Sequence, residues 1–248
     1  LSLLLICPLA SFLSAQSTSQ ENEKAVESKI NSGLLSAFKL RNIGPALMSG
    51  RIGDIAVDPE NPNVWYVGVA SGNLWKTTNA GTTWKPIFEN YGSYSIGCVT
   101  IDPNDRNTIW VGTGENNGGR HIGYGDGVYV SRDGGKSFKN MGLKETEHIG
   151  KIIVHPRNPN IIWVAAQGPL WSPGGQRGLF KSTDGGQTWK NVLSAGEWTG
   201  VSDAVLDPKN PNVLYASTHQ RHRTVWALMN AGPESGIHKS VDGGKTWT

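Results

Sequence analysis

Two carboxylates, Glu115 and Asp126, stand in one glycine-rich stretch, Gly112-Thr-Gly-Glu-Asn-Asn-Gly-Gly-Arg-His-Ile-Gly-Tyr-Gly-Asp-Gly127, with Arg120, His121 and Tyr124 between them. Two carboxyl groups facing each other across a cleft act as acid and as base or nucleophile at a glycosidic bond, so these are the candidates for catalysis. Arg51, His148, Arg177 and Arg221 add cationic or titratable groups, and Trp171, Trp198 and Trp226 add aromatic faces of the kind that bind sugar rings or peptide side chains. With Glu115, Arg120, His121 and Tyr124 they form the candidate ligand-binding set. Each also has a plainer role open to it. A loop tryptophan can tuck under its own loop, and Arg51 can form an ion pair with Asp54 or with a loop carboxylate.

No metal or cofactor is expected. His121 with Asp126, and His219 with His222, are loop pairs better suited to solvation or hydrogen bonding than to ligation. The net charge of +3 is spread along the chain without a basic block, which argues against nucleic acid and gives no membrane-surface signal. Residues 1–15 read as the apolar part and small-residue end of a truncated signal peptide, and residues 16–37 as a linker. The protein is therefore expected to be secreted or held in the periplasm or cell envelope, with no membrane span in the mature chain. Cys98 is then its single cysteine, excluding an intrachain disulfide. The oligomeric state is left open.

What must position the candidate residues is a repeat. An eight-residue phrase occurs four times: Thr77-Thr-Asn-Ala-Gly-Thr-Thr-Trp84, Ser131-Arg-Asp-Gly-Gly-Lys-Ser-Phe138, Ser182-Thr-Asp-Gly-Gly-Gln-Thr-Trp189 and Ser240-Val-Asp-Gly-Gly-Lys-Thr-Trp247. A second element precedes each copy: Val57-Asp-Pro-Glu-Asn-Pro-Asn63, Ile101-Asp-Pro-Asn-Asp-Arg-Asn107, Val154-His-Pro-Arg-Asn-Pro-Asn160 and Leu206-Asp-Pro-Lys-Asn-Pro-Asn212. Both are turn chemistry, and the segments flanking them are short and rich in β-branched and aromatic residues. Four strands per repeat of roughly 50 residues, without a helical pattern, describe a blade of a β-propeller, an all-β fold of four-stranded antiparallel sheets. Asn79, Asp133, Asp184 and Asp242 would accept the N–H groups of each turn.

The phrase resembles the Asp-box, or BNR, repeat found in sialidases, secreted xyloglucanases and the sortilin family. With Arg41-Asn-Ile-Gly-Pro45 and Ser49-Gly-Arg-Ile-Gly-Asp54, the chain is similar over residues 38–248 to exported bacterial proteins with sortilin-like repeats, often labelled glycosyl hydrolases. The resemblance implies more than four blades, so the propeller is expected to be incomplete at the C-terminus, with Phe38–Ile43 available as a closing outer strand. In the xyloglucanases a catalytic aspartate follows the second strand of the first blade, where this chain has Ala70. Likewise, Gly50-Arg-Ile-Gly53 departs from the Arg-Ile-Pro of sialidases.

A strand meander puts the first and third connections of every blade on one face, which collects the repeated turns. The opposite face collects the irregular loops, where function is expected. Asp54, Lys151 and Asp203 fall in an innermost-strand column facing a central channel, and Arg51 and His148 in the column at its mouth. These residues weigh toward a module that binds a peptide, protein or carbohydrate on the variable face and channel. The alternatives are a glycoside hydrolase of the xyloglucanase or sialidase type and a purely structural assembly module.

Overall fold

The computed structural model describes residues 50–248; the expectations for residues 1–15, 16–37 and 38–43 lie outside the described residues. Three sheets are four-stranded antiparallel meanders. The first contains β1 (Ile52–Val57), β2 (Trp65–Val69), β3 (Asn73–Thr77) and β4 (Lys85–Pro86). The second contains β5 (Ile96–Asp102), β6 (Asp105–Thr113), β7 (Val128–Ser131) and β8 (Lys139–Asn140), and the third β9 (Ile149–His155), β10 (Asn158–Ala166), β11 (Gly178–Ser182) and β12 (Lys190–Leu193). In the fourth, β13 (Thr199–Leu206) pairs with β14 (Leu214–Gln220), and β14 with β17 (Gly236–Ser240); between them projects a hairpin of β15 (His222–Arg223) and β16 (Leu228–Met229). Lys239 and Thr248 exchange both backbone hydrogen bonds. The innermost strands β1, β5, β9 and β13 lie side by side, as propeller blades require.

The turns explain why the repeats fold alike. In three copies of the phrase the aspartate accepts the same contacts: Asp133 Oδ1 takes the N–H groups of Lys136 and Ser137, each at 2.9 Å, and its Oδ2 takes the Ser137 hydroxyl at 2.5 Å. Asp184 and Asp242 repeat this pattern with Thr188 and Thr246. Asn79 keeps the acceptor toward Thr83 N at 2.9 Å and donates its amide to the Thr83 hydroxyl. In the Asp-Pro turns, Asp58, Asp102 and Asp207 accept the N–H two residues on; His155 substitutes through Nδ1, accepting from Arg157 N at 3.1 Å.

The apolar clusters lie between neighbouring sheets, one for each pair. No sheet buries its faces alone, so stability is shared between adjacent blades. The phrase takes part in that packing. Tyr66, Trp110 and Trp163 of the second strands are buried, and each lies against the second glycine of the following blade's phrase, Gly135, Gly186 and Gly244.

Every innermost strand carries an extra residue at the same place. Ile52 pairs with Val69 but Asp54 with Gly68, and the same shift recurs between Ile96 and Cys98, Ile149 and Lys151, and Val201 and Asp203. Such bulges sharpen the local bend and re-aim the side chains that follow. The bulged residue is Gly53, Gly97 or Gly150 in the first three blades, and a Cβ on Gly53 would sit 2.9 Å from the Ile96 carbonyl. Glycine thus lets adjacent blades approach closely along their innermost strands.

Candidate functional site

The site grows from the ends of the second strands. After β6 the chain enters the long loop at 114–127, and Glu115 is held there by its own N–H to Gly123 O at 3.0 Å. Its carboxylate is buried, and Arg51 of the preceding blade closes on it, Nε donating to Oε1 at 2.6 Å while Nη2 also contacts that oxygen. Of the two partners open to Arg51 in the sequence, the loop carboxylate is the one it takes. Asp54 instead accepts the N–H of Val99 in the next blade at 3.1 Å. Asp126 accepts the Tyr129 hydroxyl at 2.5 Å and contacts the Thr113 hydroxyl at 3.4 Å. Each carboxylate is therefore engaged in holding the loop.

Four of the candidate ligand-binding residues, Glu115, His148, Arg177 and Arg221, are buried in the loop wall. Arg177 donates to the carbonyls of Gly174, Pro169 and Ser172, folding its own loop around the guanidinium. Arg221 reaches from the fourth blade to Asn117 O at 2.9 Å in the second and Gly168 O at 3.2 Å in the third, and Arg223 reaches Gly118 O. These long side chains carry enough donors to satisfy irregular backbone that has no strand partner. Burial, followed by the charge of Arg221, pushes the His148 imidazole down to about 3. It is therefore neutral near neutrality, and its 3.8 Å approach to Glu147 is not an ion pair there. Burial raises the Glu147 carboxyl above its usual range, against the opposing pull of Arg177 and Arg221. Its backbone has a positive φ of 53°, with its carbonyl accepting from Gly125 N at 2.7 Å.

The remaining candidates stay open. Arg120 and His121 are exposed, as are Tyr124, Trp171 and, most of all, Trp226 at 84%. Trp226 rides the tip of the β15–β16 hairpin beside exposed Val225. Trp198 differs: it is half-buried and stacks on His222 with ring centroids 3.7 Å apart, bracing the base of that hairpin.

Asp54, Lys151 and Asp203 share a polar hollow of about 480 Å³ beside the innermost strands. Its other walls include His219 and also Asn116, Gln167 and Asn230, which the sequence does not single out. They lie within or beside the variable loops, but only the fold brings them together. A hollow of about 540 Å³ lies on the opposite face around Lys76, Lys85 and Lys136. There the Lys76 ammonium donates to Gly134 O at 2.8 Å and sits 5.1 Å over the Tyr66 ring, so it ties adjacent blades together. Cys98 is buried, which pushes its thiol up to about 12 and leaves it inert as a nucleophile. Among the described residues no group of His, Cys, Asp and Glu is placed to hold a metal, and no helix is long and apolar enough to cross a membrane.

Comparison with known proteins agrees with this architecture. The Sortilin-Vps10 family model, described as sortilin, neurotensin receptor 3, matches residues 126–248. A xyloglucanase of Acetivibrio thermocellus is 26% identical over 231 residues, covering 78% of this chain and 24% of the relative. A xyloglucanase of Hypocrea jecorina is 26% identical over 219 residues, covering 78% and 25%. Among solved structures, an ancestral GH74 enzyme superposes with a TM-score of 0.59 at 25% identity, covering 80% of this chain and 24% of that one. The GH74 xyloglucanase of Xanthomonas campestris gives 0.58 at 22%, covering 78% and 29%. The chain is a β-propeller similar to the sortilin family over residues 126–248 and to xyloglucanases over nearly four-fifths of its length, and it spans about a quarter of the length of the curated relatives it matches.

Proposed function

We propose that this chain is part of a glycoside hydrolase acting on a xyloglucan-type polysaccharide, with its variable loop face contacting the polymer. The observation that carries this reading is the similarity to xyloglucanases over nearly four-fifths of the chain. The open face supports it: Trp171, Trp226 and Tyr124 offer rings to pyranose faces, and Arg120 and His121 offer hydrogen bonds to hydroxyls. Glu115 and Asp126 are not the acid and base in this reading, because their carboxylates are committed to Arg51 and to Tyr129. With a polysaccharide substrate, the protein would work outside the cytoplasm, as the apolar stretch at residues 1–15 leads one to expect.

A second reading is a binding module without turnover. It is favoured by that same commitment of both candidate carboxylates and by the sortilin-type family match. Incubating the full-length protein with xyloglucan separates the two. Release of reducing ends supports the hydrolase, retention without release supports the binding module, and neither would reject both.

A further inference from the structure

The hollow beside the innermost strands is lined by residues from all four blades and lies where these strands converge. We propose that it is a binding site for a single sugar unit, a chain end or side branch, separate from the open aromatic face that meets the polymer. The choice of a sugar rests on the proposed function; the existence of a small-ligand site rests on the geometry.

Three features support a site. Its volume, about 480 Å³, falls within the roughly 300–1,000 Å³ typical of small-molecule sites. Its groups are held in place before any ligand arrives: Gln167 donates its amide to Asn116 Oδ1, His219 Nε2 contacts Asn230 O at 3.0 Å, and Arg221 is fixed by carbonyls of two other blades. Fixed donors and acceptors reduce the ordering cost of binding. Finally, Gln167 Oε1 and Arg221 Nε are buried without a hydrogen-bond partner among the described residues, and both residues line the hollow. Buried polar atoms are nearly always satisfied, so a hydroxyl or water is the expected companion.

The chemistry fits a polyol. Side-chain amides of Asn116 and Asn230, carboxylates of Asp54 and Asp203 and the Lys151 ammonium offer donors and acceptors side by side. Vicinal hydroxyls are both donor and acceptor and can use such a mixed lining, whereas a lone anion or cation would face charge of its own sign. Because the walls belong to four converging blades, a polymer lying across the face passes over the hollow. Only an end or a branch enters it.

The test uses the full-length protein, with glucose, xylose and cellotetraose as probes in calorimetric and NMR titrations and glycine as the zwitterionic control. The double variant Asn116→Ala/Asn230→Ala removes two exposed amides, so folding is expected to survive, as circular dichroism would verify. Loss of two hydrogen bonds predicts at least about a tenfold drop in sugar affinity. Polymer bound or cleaved with no binding of any short sugar would overturn this inference and leave the proposed function standing. Short sugars bound and weakened by the variant, with no action on xyloglucan, would sustain the site and reject that function. Binding of glycine in place of sugars would overturn the sugar assignment.

Discussion

Trp110 of the second blade lies against Gly186 of the third, so close that a Cβ on that glycine would sit 2.7 Å from the indole Cη2. Gly186 also has a φ of +87°. Two costs therefore fall on one position, left-handed strain and overpacking of a neighbouring blade. Gly186→Ala should lower stability by about 2–4 kcal/mol, read by urea unfolding. Gly174 has a φ of +71° with nothing within 4 Å of an added Cβ, so Gly174→Ala should cost only about 1 kcal/mol. Equal losses in the two variants would refute the interlocking role of the phrase.

The first copy of the phrase carries a built-in defect. Ala80 holds a φ of 54° where the other copies place Gly134, Gly185 and Gly243 at 71°, 73° and 75°. Ala80→Gly is expected to stabilise the protein by about 0.5–1 kcal/mol, visible as a higher Tm, because relief of strain exceeds the extra chain entropy. A lower Tm would show that the turn depends on the alanine methyl.

The Arg51–Glu115 pair is read as a latch between blades. Arg51→Ala leaves a buried carboxylate without its cation and should cost about 1–3 kcal/mol, below the full penalty of a buried pair because Arg51 is half exposed. Any turnover of xyloglucan by the full-length protein should survive Glu115→Gln to within about tenfold. Abolition of turnover with an intact fold would return Glu115 to catalysis.

Acid should act in two windows. Between its ordinary 6.5 and the folded value of about 3, His148 binds a proton in the unfolded chain and not in the folded one. Stability therefore falls as pH falls, by up to about 1.4 kcal/mol per pH unit. The phrase aspartates add a lower window. Hydroxyl and N–H donors from Thr188 hold Asp184 at about 2, below its ordinary 3.8, and Asp133 and Asp242 are depressed likewise, so their contribution is lost as they protonate. Denaturant titrations of a His148→Gln variant should flatten the slope between pH 6 and roughly 4 and leave the lower loss in place. An unchanged upper slope would exclude His148 as its source.

The blades were legible because their chemistry is local. Asp133 binds partners three and four residues on, and Asp58 those two and three on, so type and spacing suffice to define each turn. The hollow was only partly legible. Asp54, Lys151 and Asp203 fall in a repeat column, but Gln167 meets Asn116 across 51 residues, and Arg221 meets Asn117 across 104. Loop contacts of that range follow no period. For the same reason Arg177 reads as a ligand contact although its own loop's carbonyls hold it, and the β15–β16 hairpin falls in a stretch with no repeat signature.

The most direct measurement follows the full-length protein on xyloglucan, scoring polymer retained and reducing ends released for wild type, Glu115→Gln and the double variant Trp171→Ala/Trp226→Ala. The predicted result is retention with release in the wild type, persistence of both in Glu115→Gln, and a loss of roughly tenfold or more when the two exposed indoles are removed. A folded wild-type protein that neither retains nor cleaves the polymer would contradict the proposed function. Indifference to loss of both tryptophans would contradict the place assigned to the polymer.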